Sequence, residues 1–460
     1  MQTLISTCPI AQLSATQLKE EAIARLKLKT ARVGIIGLGY VGLPLALLLN
    51  EEGFQVTGFD IDSTKIDMLA SSRSYICRIP ETEIALARDR GLQATTDFTR
   101  ISEMDAIVIC VPTPLTKYHE PDLSFVTETV KSIAPHLKAG QLVVLESTTY
   151  PGTTDQVVLP LLLNGNPLKL SVSRDNPQAE NTFFLAFSPE REDPGNNTIA
   201  RSDIPKIVGG VDGYASELAT ALYSSIFHRV VSVSSPTVAE MTKLLENIYR
   251  CVNIALVNEL KLLCLRMEID IWEVIAAAST KPFGFQSFYP GPGLGGHCIP
   301  VDPFYLSWKA KEFDFATRFI ELAGEINMAM PYHIVEFIAE ALNVRSKALR
   351  GSKVLILGVS YKKDIDDLRE SPAITIIEAL QKQGALVHYN DPYFPKIGRG
   401  RHYDLQMQRV TLENLGQYDC VVIVTDHSDY DYRQIVNEAQ LVIDTRNATV
   451  GICSPRIVRC

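Results

Sequence analysis

Hydrophobic and polar positions fall into two rhythms along this chain. From Arg32 to about Val208, short apolar runs (Val33–Ile36, Gln55–Phe59, Ala106–Val111 and Leu142–Glu146) alternate with segments of helical periodicity. That is the βα rhythm of an open parallel sheet. From Ser235 to about Met330 the strand pattern stops. Thr237–Met267 contains no Gly or Pro, and apolar residues recur at Leu244, Ile248, Cys251, Ala255 and Leu262, which predicts one long helix. After Leu349 the first rhythm returns, in Lys353–Leu357, Ala385–Tyr389, Cys420–Val424 and Gln440–Ile443. The pattern predicts two doubly wound α/β domains joined by a central helical domain. The expected divisions are an extension over 1–30, then domains over 31–210, 211–330 and 331–460. Within the extension, Ser14–Leu28 reads as a short amphipathic helix, with Leu18, Ala22 and Leu26 on one face.

Composition narrows the picture. A chain of 460 residues has room for about three domains with separate cores. Its 46% hydrophobic and 21% charged content is that of a soluble globular protein. A formal net charge of -9 argues against sequence-independent nucleic-acid binding, though a few local Lys and Arg residues can still hold a diphosphate. Met1–Thr30 has no basic stretch leading into an apolar core, and no apolar run approaches the ~18 residues of a membrane span. The nine cysteines are scattered and show no CxxC pair, so neither a disulfide framework nor a metal site is expected. A reducing cytoplasm fits best.

Chemistry enters at three places. Gly37-Leu38-Gly39-Tyr40-Val41-Gly42 follows a predicted strand and opens a predicted helix, and Asp60 closes the next strand. The first glycine permits a tight turn, the second lets the backbone approach a pyrophosphate, and the third brings helix and strand together. Free N–H groups at the helix start would meet the phosphates. Asp60 would bind the adenosine ribose and repel a 2′-phosphate, so the cofactor should be NAD rather than NADP. Pro112 and Thr113 follow one strand, and Ser147 and Thr148 follow another, at the sheet edge where such folds bind ligands; ordinary turns are the alternative reading.

The second place is Gly291-Pro292-Gly293-Leu294-Gly295-Gly296-His297-Cys298, continuing to Asp302. Its glycines let the backbone wrap a ligand and donate N–H groups to it, and Cys298 at the end of such a loop is a candidate thiolate nucleophile. His297 reads as structural, and the other eight cysteines as small buried apolar residues. The third place is the long helix, where Lys243 and Asn247 stand one turn apart and share a face. Projecting into a cleft, they could polarise a hydroxyl and stabilise an alkoxide. The same pair would also suit a two-electron β-hydroxyacid dehydrogenase, and the fold alone would suit a non-catalytic NAD-sensing scaffold.

Over roughly Ala31–Val450 the chain resembles the UDP-glucose/GDP-mannose dehydrogenase family. The matching segments are Gly37–Gly42, Phe187-Ser188-Pro189-Glu190-Arg191, Lys243 with Asn247, Gly293–Asp302, Tyr361-Lys362-Lys363-Asp364 through Arg369-Glu370-Ser371, and Asp444-Thr445-Arg446. Phe187–Asn196 and Ser279–Phe285 are more similar to the branch acting on UDP-N-acetylglucosamine or its epimers. The UDP-glucose branch usually has serine before the nucleophile; this chain has His297, which turns the reading away from glucose.

The resemblance implies two Rossmann-like domains and a residue-by-residue assignment. Cys298 would be the nucleophile, Lys243 and Asn247 would hold the oxyanion or trade protons, Asp302 would assist, and Glu190 would serve in acid–base work or thioester hydrolysis. NAD would be bound by Gly37, Gly39, Tyr40, Val41, Gly42, Asp60, Lys65, Pro112, Thr113, Ser147, Thr148 and Arg369. The UDP-sugar would be held by Arg191, Tyr289, Gly293, Gly295, Tyr361, Lys362 and Arg446. Gly358 stands at a strand end without a GxGxxG string, which suits a mononucleotide domain. The implied reaction is a four-electron oxidation of the sugar's 6-hydroxyl through a thiohemiacetal and a thioester. UDP-N-acetylglucosamine is the expected substrate, the gluco, manno and galacto alternatives stay open, and a homodimer is expected.

Overall fold

In the computed structural model, which describes residues 13–76, 78–116, 118, 120–191, 199–296, 299–400 and 403–460, the apolar runs become strands at or within two residues of the expected positions. The chain divides into two compact units between Leu245 and Glu246.

The first unit opens with α1 (Ala15–Lys27), β1 (Arg32–Ile36), α2 (Gly42–Glu51), β2 (Gln55–Phe59), α3 (Ser63–Ala70), α4 (Glu81–Asp89) and β3 (Gln93–Thr95). It continues through β4 (Ala106–Ile109), α5 (Ser124–Ile133), β5 (Leu142–Leu145), α6 (Leu159–Gly165), β6 (Phe184–Phe187), β7 (Lys206–Gly210), α7 (Gly213–Tyr223) and β8 (Val230–Ser232). The strand order is β3-β2-β1-β4-β5-β6-β7-β8, so the winding reverses between β1 and β4. Alternate residues serve opposite faces, as a pleated strand requires. Ala106 and Val108 pack with α2 and α7, whereas Ile107 and Ile109 pack with α5 and α6. Each fully buried Ile or Val contributes about 1.5–3 kcal/mol.

Two features depart from the expected pattern. The sheet is not wholly parallel, because β7 runs antiparallel to β6, with Phe187 opposite Gly209. It also continues past residue 210 through α7 and β8, since β8 pairs in parallel with β7. The N-terminal helix docks on this unit. Ser14 and Gln17 form a capping box, Lys19 pairs with Glu217 of α7, and Leu18, Ala22 and Ile23 lie against the core.

The long helix α8 (Pro236–Arg266) forms in one piece, and the division between the units falls inside it. The second unit then runs through α9 (Ile271–Ala278), α10 (Asp302–Ala310), α11 (Arg318–Val344), β9 (Lys353–Leu357), α12 (Pro372–Lys382) and β10 (Leu386–Asn390). After a hairpin of β11 (Lys396–Arg399) and β12 (Asp404–Gln408) come β13 (Cys420–Ile423), α13 (Tyr432–Glu438), β14 (Val442–Asp444) and β15 (Ile457–Arg459). The five-stranded sheet, in the order β10-β9-β13-β14-β15, is parallel throughout.

Candidate active site

The turn from β1 into α2 has the geometry of a pyrophosphate cradle. Gly37 takes φ +89°, and a Cβ there would lie 2.6 Å from the Cys110 carbonyl oxygen. At Gly42 a Cβ would fall 1.9 Å from the Gly37 oxygen, so only glycine lets the helix start this close to the strand. A Cβ at Gly39 meets nothing within 4 Å, and α2 has no side-chain N-cap, which leaves open space before the start of the helix. Tyr40 and Val41 are half-buried in the same turn. Asp60, buried just past β2, accepts the Leu38 N–H at 2.9 Å and pairs with Lys65 of α3 at 2.9 Å. These residues fit the adenosine half of NAD.

Further along the same edge lie Pro112 and Thr113 after β4, Ser147 and Thr148 after β5, and Glu190 and Arg191 after β6. Ser147 Oγ donates to the Val111 carbonyl at 2.7 Å, tying two strand ends together. The Arg191 N–H donates to Glu190 Oε1 at 2.7 Å, and its guanidinium to the Pro205 carbonyl at 2.6 Å. The neighbouring Thr149 is fully buried with its hydroxyl unpartnered.

Behind this edge sits a charged cluster that the sequence pattern did not reveal. Lys206 Nζ stands 2.8 Å from Glu146 Oε1 and 3.6 Å from Glu190 Oε2. Tyr223 OH donates to the same Glu146 oxygen at 2.6 Å, and Cys110 Sγ lies 3.7 Å from Oε2. Burial raises the Glu146 carboxyl above the usual carboxylate range, although Lys206 pulls the other way. Burial likewise drives Cys110 and Tyr223 well up, with Glu146 adding to both. For Lys206 burial opposes the charge, but the two glutamates outweigh it and its value is raised. Lys243, the other buried lysine of interest in this unit, lies on α8.

In the second unit, Asn247 of α8 donates to Asp302 Oδ2 at 2.5 Å, both side chains being buried at the start of α10. His297 and Cys298 lie outside the described residues. The glycine loop before them is pinned at both ends: the Gly291 N–H donates to Asn258 Oδ1 at 2.9 Å, and the Gly296 N–H to the Arg369 carbonyl at 2.9 Å. This corrects part of the expectation for the loop, since those two N–H groups are taken by the protein itself. Its glycines answer to close neighbours as well. A Cβ at Gly295 would lie 2.5 Å from the Tyr361 Cβ, and one at Gly291 would lie 2.6 Å from Arg446 Nη1. Gly293, at φ +135°, passes between Pro331 and Pro372.

Tyr361, Lys362 and Arg446 follow strands β9 and β14, and Arg446 Nε donates to the Val424 carbonyl at 2.9 Å. Tyr289 stacks on Trp272, with centroids 6.1 Å apart. Arg369 is clasped by Asp367, its Nη2 2.6 Å from Oδ2. Lys261 was also missed: its ammonium is buried without a hydrogen-bond partner, and burial lowers its pKa beside Cys460, Arg446 and Asp444.

Gly358 takes φ +80° after β9, as Gly37 does after β1, but the acidic residue that follows differs. Asp391 is fully buried and accepts the Val359 and Ser360 N–H groups at 2.7 and 3.1 Å, and it contacts His427 Nε2 at 3.0 Å. It is turned into its own loop and leaves no face for a ribose.

Comparison with known proteins accounts for this pairing of two similar sheets with different loops. Three family models match in chain order: the NAD binding domain over residues 31–227, the central domain over 237–329 and the UDP binding domain over 355–450. The chain belongs to the UDP-glucose/GDP-mannose dehydrogenase family. It is an NAD-dependent UDP-sugar dehydrogenase. The chain is 35% identical to an NDP-N-acetyl-D-galactosaminuronic acid dehydrogenase of Ralstonia nicotianae, covering 90% of this chain and 95% of that one. It is 32% identical to a UDP-N-acetyl-D-glucosamine 6-dehydrogenase of Pseudomonas aeruginosa, covering 88% and 92%. The solved structure of a UDP-D-ManNAc dehydrogenase from Pyrococcus horikoshii superposes with a TM-score of 0.81 at 32% identity, covering 93% of this chain and 98% of that one. In this family member no described helix is long and apolar enough to cross a membrane. Among the described residues no group of three or more His, Cys, Asp or Glu could hold a metal ion.

Proposed function

We propose that this dehydrogenase oxidises the 6-hydroxyl of a UDP-N-acetylhexosamine, UDP-N-acetylglucosamine foremost, to the uronic acid through a thioester on Cys298. The observation that carries the reading is the buried Asn247–Asp302 hydrogen bond. It joins the long helix to the segment four residues past Cys298, and one helical turn separates Asn247 from Lys243. NAD, when bound, would supply the hydride acceptor, and two NAD molecules used in turn would account for the four electrons removed from C6. Gly37, Gly39, Tyr40, Val41, Gly42, Asp60, Lys65, Pro112, Thr113, Ser147, Thr148 and Arg369 would hold it. Lys243 and Asn247 stabilise the oxyanion at each stage, since a buried cation and amide need no rearrangement to meet it. Between the oxidations the Cys298 thiolate adds to the aldehyde carbon, giving a thiohemiacetal that the second oxidation converts to the thioester. Glu190 takes a proton from the water that attacks the thioester. The C–O bond forms as the C–S bond breaks, and sulfur leaves as thiolate. Asp302 positions groups in the same chemistry. Arg191, Tyr289, Gly293, Gly295, Tyr361, Lys362 and Arg446 bind the UDP-sugar.

Three kinds of support favour an N-acetylated sugar. The named relatives act on N-acetylgalactosamine, N-acetylglucosamine and N-acetylmannosamine derivatives. The segments Phe187–Asn196 and Ser279–Phe285 are similar to that branch, and His297 replaces the serine usual for glucose. A homodimer fits the exposed apolar residues Leu245, Tyr249, Leu256, Leu260 and Leu263 along α8. The test is the rate of NADH formation against a panel of UDP-hexoses and UDP-N-acetylhexosamines. UDP-N-acetylglucosamine should give the highest kcat/KM; a preference for UDP-glucose would overturn the assignment.

A further inference from the structure

The segment after β5 has to turn before α6 can start, and its helical entry has no side-chain cap of its own. Gly152 makes the turn at φ +95°, and one turn of π-helix, Thr154–Val158, leads into α6. Backbone N–H groups at such an entry lack partners within the helix and favour a negative group. The acceptor comes from far along the chain. Glu240, the fifth residue of α8, takes the Gly152 N–H on Oε2 at 2.6 Å and the Thr154 N–H and hydroxyl on Oε1 at 2.9 and 2.7 Å. Its side chain is fully buried. The Thr237 hydroxyl adds a second tie from the same helix, donating to Asp155 Oδ2 at 3.2 Å. The segment begins with Ser147 and Thr148 of the candidate NAD edge, and Lys243 follows Glu240 by three residues on α8. This carboxylate therefore joins the strand end assigned to the cofactor to the helix turn assigned to the oxyanion.

We propose that Glu240 is a positioning residue for hydride transfer: as a carboxylate it clamps the turn after β5 to α8 and holds Lys243 in register with the NAD edge, and as the neutral acid it releases that register. The proposal rests on the reading of Lys243 as the cation that meets the oxyanion. Three donors converge on two oxygens, which a carboxylate serves with charge-assisted hydrogen bonds. A neutral carboxyl turns one of those oxygens into a donor facing donors, and the remaining bonds lose their charge assistance. Burial pushes the Glu240 carboxyl up to about 7; Thr154 and Gly152 pull it back, and Asp155 adds to the rise. Asp155 is itself raised by burial, against the hydrogen bond from Thr237. Of the other titratable groups nearby in the chain, Glu146 heads the segment and is paired with Lys206, Tyr150 lies within it, and Lys243 follows on α8.

The test follows hydride transfer alone. Enzyme is held in excess over UDP-N-acetylglucosamine, or over whichever UDP-sugar of the panel turns over fastest, with NAD saturating. The first phase of NADH formation is recorded across pH, and its slowing by a C6-dideuterated sugar identifies it as hydride transfer. Wild type should show an acid limb at about pH 7. Glu240→Gln should lose that limb and run at a flat rate, up to about a hundredfold below the wild-type plateau. Thr154→Val deletes the hydroxyl that lowers Glu240 most, so its limb should move up; Asp155→Asn deletes a like charge, so its limb should move down. Both keep the backbone bonds to Glu240, and the pair decides the matter if Glu240→Gln does not fold. A carboxylate that only held the fold together would lower the rate at every pH and leave the limb in place. A wild-type profile without the limb, a limb kept in Glu240→Gln, or a limb in either flanking variant that stays put or moves against the stated direction overturns the proposal. Lys243→Ala separates the two levels of the argument. If that variant keeps the wild-type rate, the reading of Lys243 has failed; if it abolishes hydride transfer while the Glu240, Thr154 and Asp155 variants behave as wild type, only the role of Glu240 has failed.

Discussion

At Asp60 one carboxylate oxygen already takes the Leu38 N–H and the Lys65 ammonium, and the other takes the Asp62 N–H at 3.0 Å. The carboxylate therefore shapes the glycine turn, and on the proposed reading its remaining lone-pair capacity meets the ribose hydroxyls of NAD. Its charge also disfavours a 2′-phosphate, because like charges repel strongly in a partly desolvated site. Asp60→Ala should weaken NAD binding through the loosened turn, yet narrow the gap between NAD and NADP in kcat/KM. Equal use of both cofactors by the unaltered protein would contradict this role. Asp60 and the glycines were legible because their spacing is set by one short turn. Lys206 was not, since a lysine opening an apolar run reads as the solvated start of a strand. Its meaning depends on a strand direction that no local pattern records. Asn258, which anchors Gly291, escaped for the same reason: nothing near it in the chain marks an amide on a helix as a loop anchor.

Among the elements, the strands flanked by clear turns were legible to within two residues, and so was α8. Strands β3, β6 to β8, β11, β12 and β15 were not foreseen as such, because their runs are short and their pairing is decided by the sheet they join. The ends of β9 and β10 show what a strand-end carboxylate does when no ribose is served. Burial alone would raise Asp391, but His427 and the Val359 and Ser360 N–H groups win, and it lies below its ordinary 3.8. Such a group stabilises the fold fully above its unfolded value, and the stabilisation is lost as pH falls through the lower folded value. Asp391→Asn should therefore cost about 2–3 kcal/mol at neutral pH. In thermal melts the difference from wild type should be constant above about pH 4 and shrink below it. A difference that grew on acidification would contradict the ionised assignment.

For the whole molecule, one architectural plan is used twice with different loops. The first sheet keeps an open glycine turn and a carboxylate with free lone pairs; the second turns its carboxylate inward and presents Tyr361, Lys362 and Arg446 after its strands. The doubled plan was readable from the alternation of apolar runs, and the family resemblance from motifs spread in order along the chain. On the mechanism we propose, the chemistry that separates a four-electron oxidation from a two-electron one comes down to Cys298. A dehydrogenase that stopped at the aldehyde would need Lys243 and Asn247 but no thiol. The decisive measurement is uronic acid formation by Cys298→Ala, with NAD binding checked on the same preparation. Without the thiol the first hydride transfer stays possible, but the thioester cannot form. Acid formation should fall by several orders of magnitude while NAD affinity holds. A Cys298→Ala variant that makes the uronic acid at close to the wild-type rate would contradict the account.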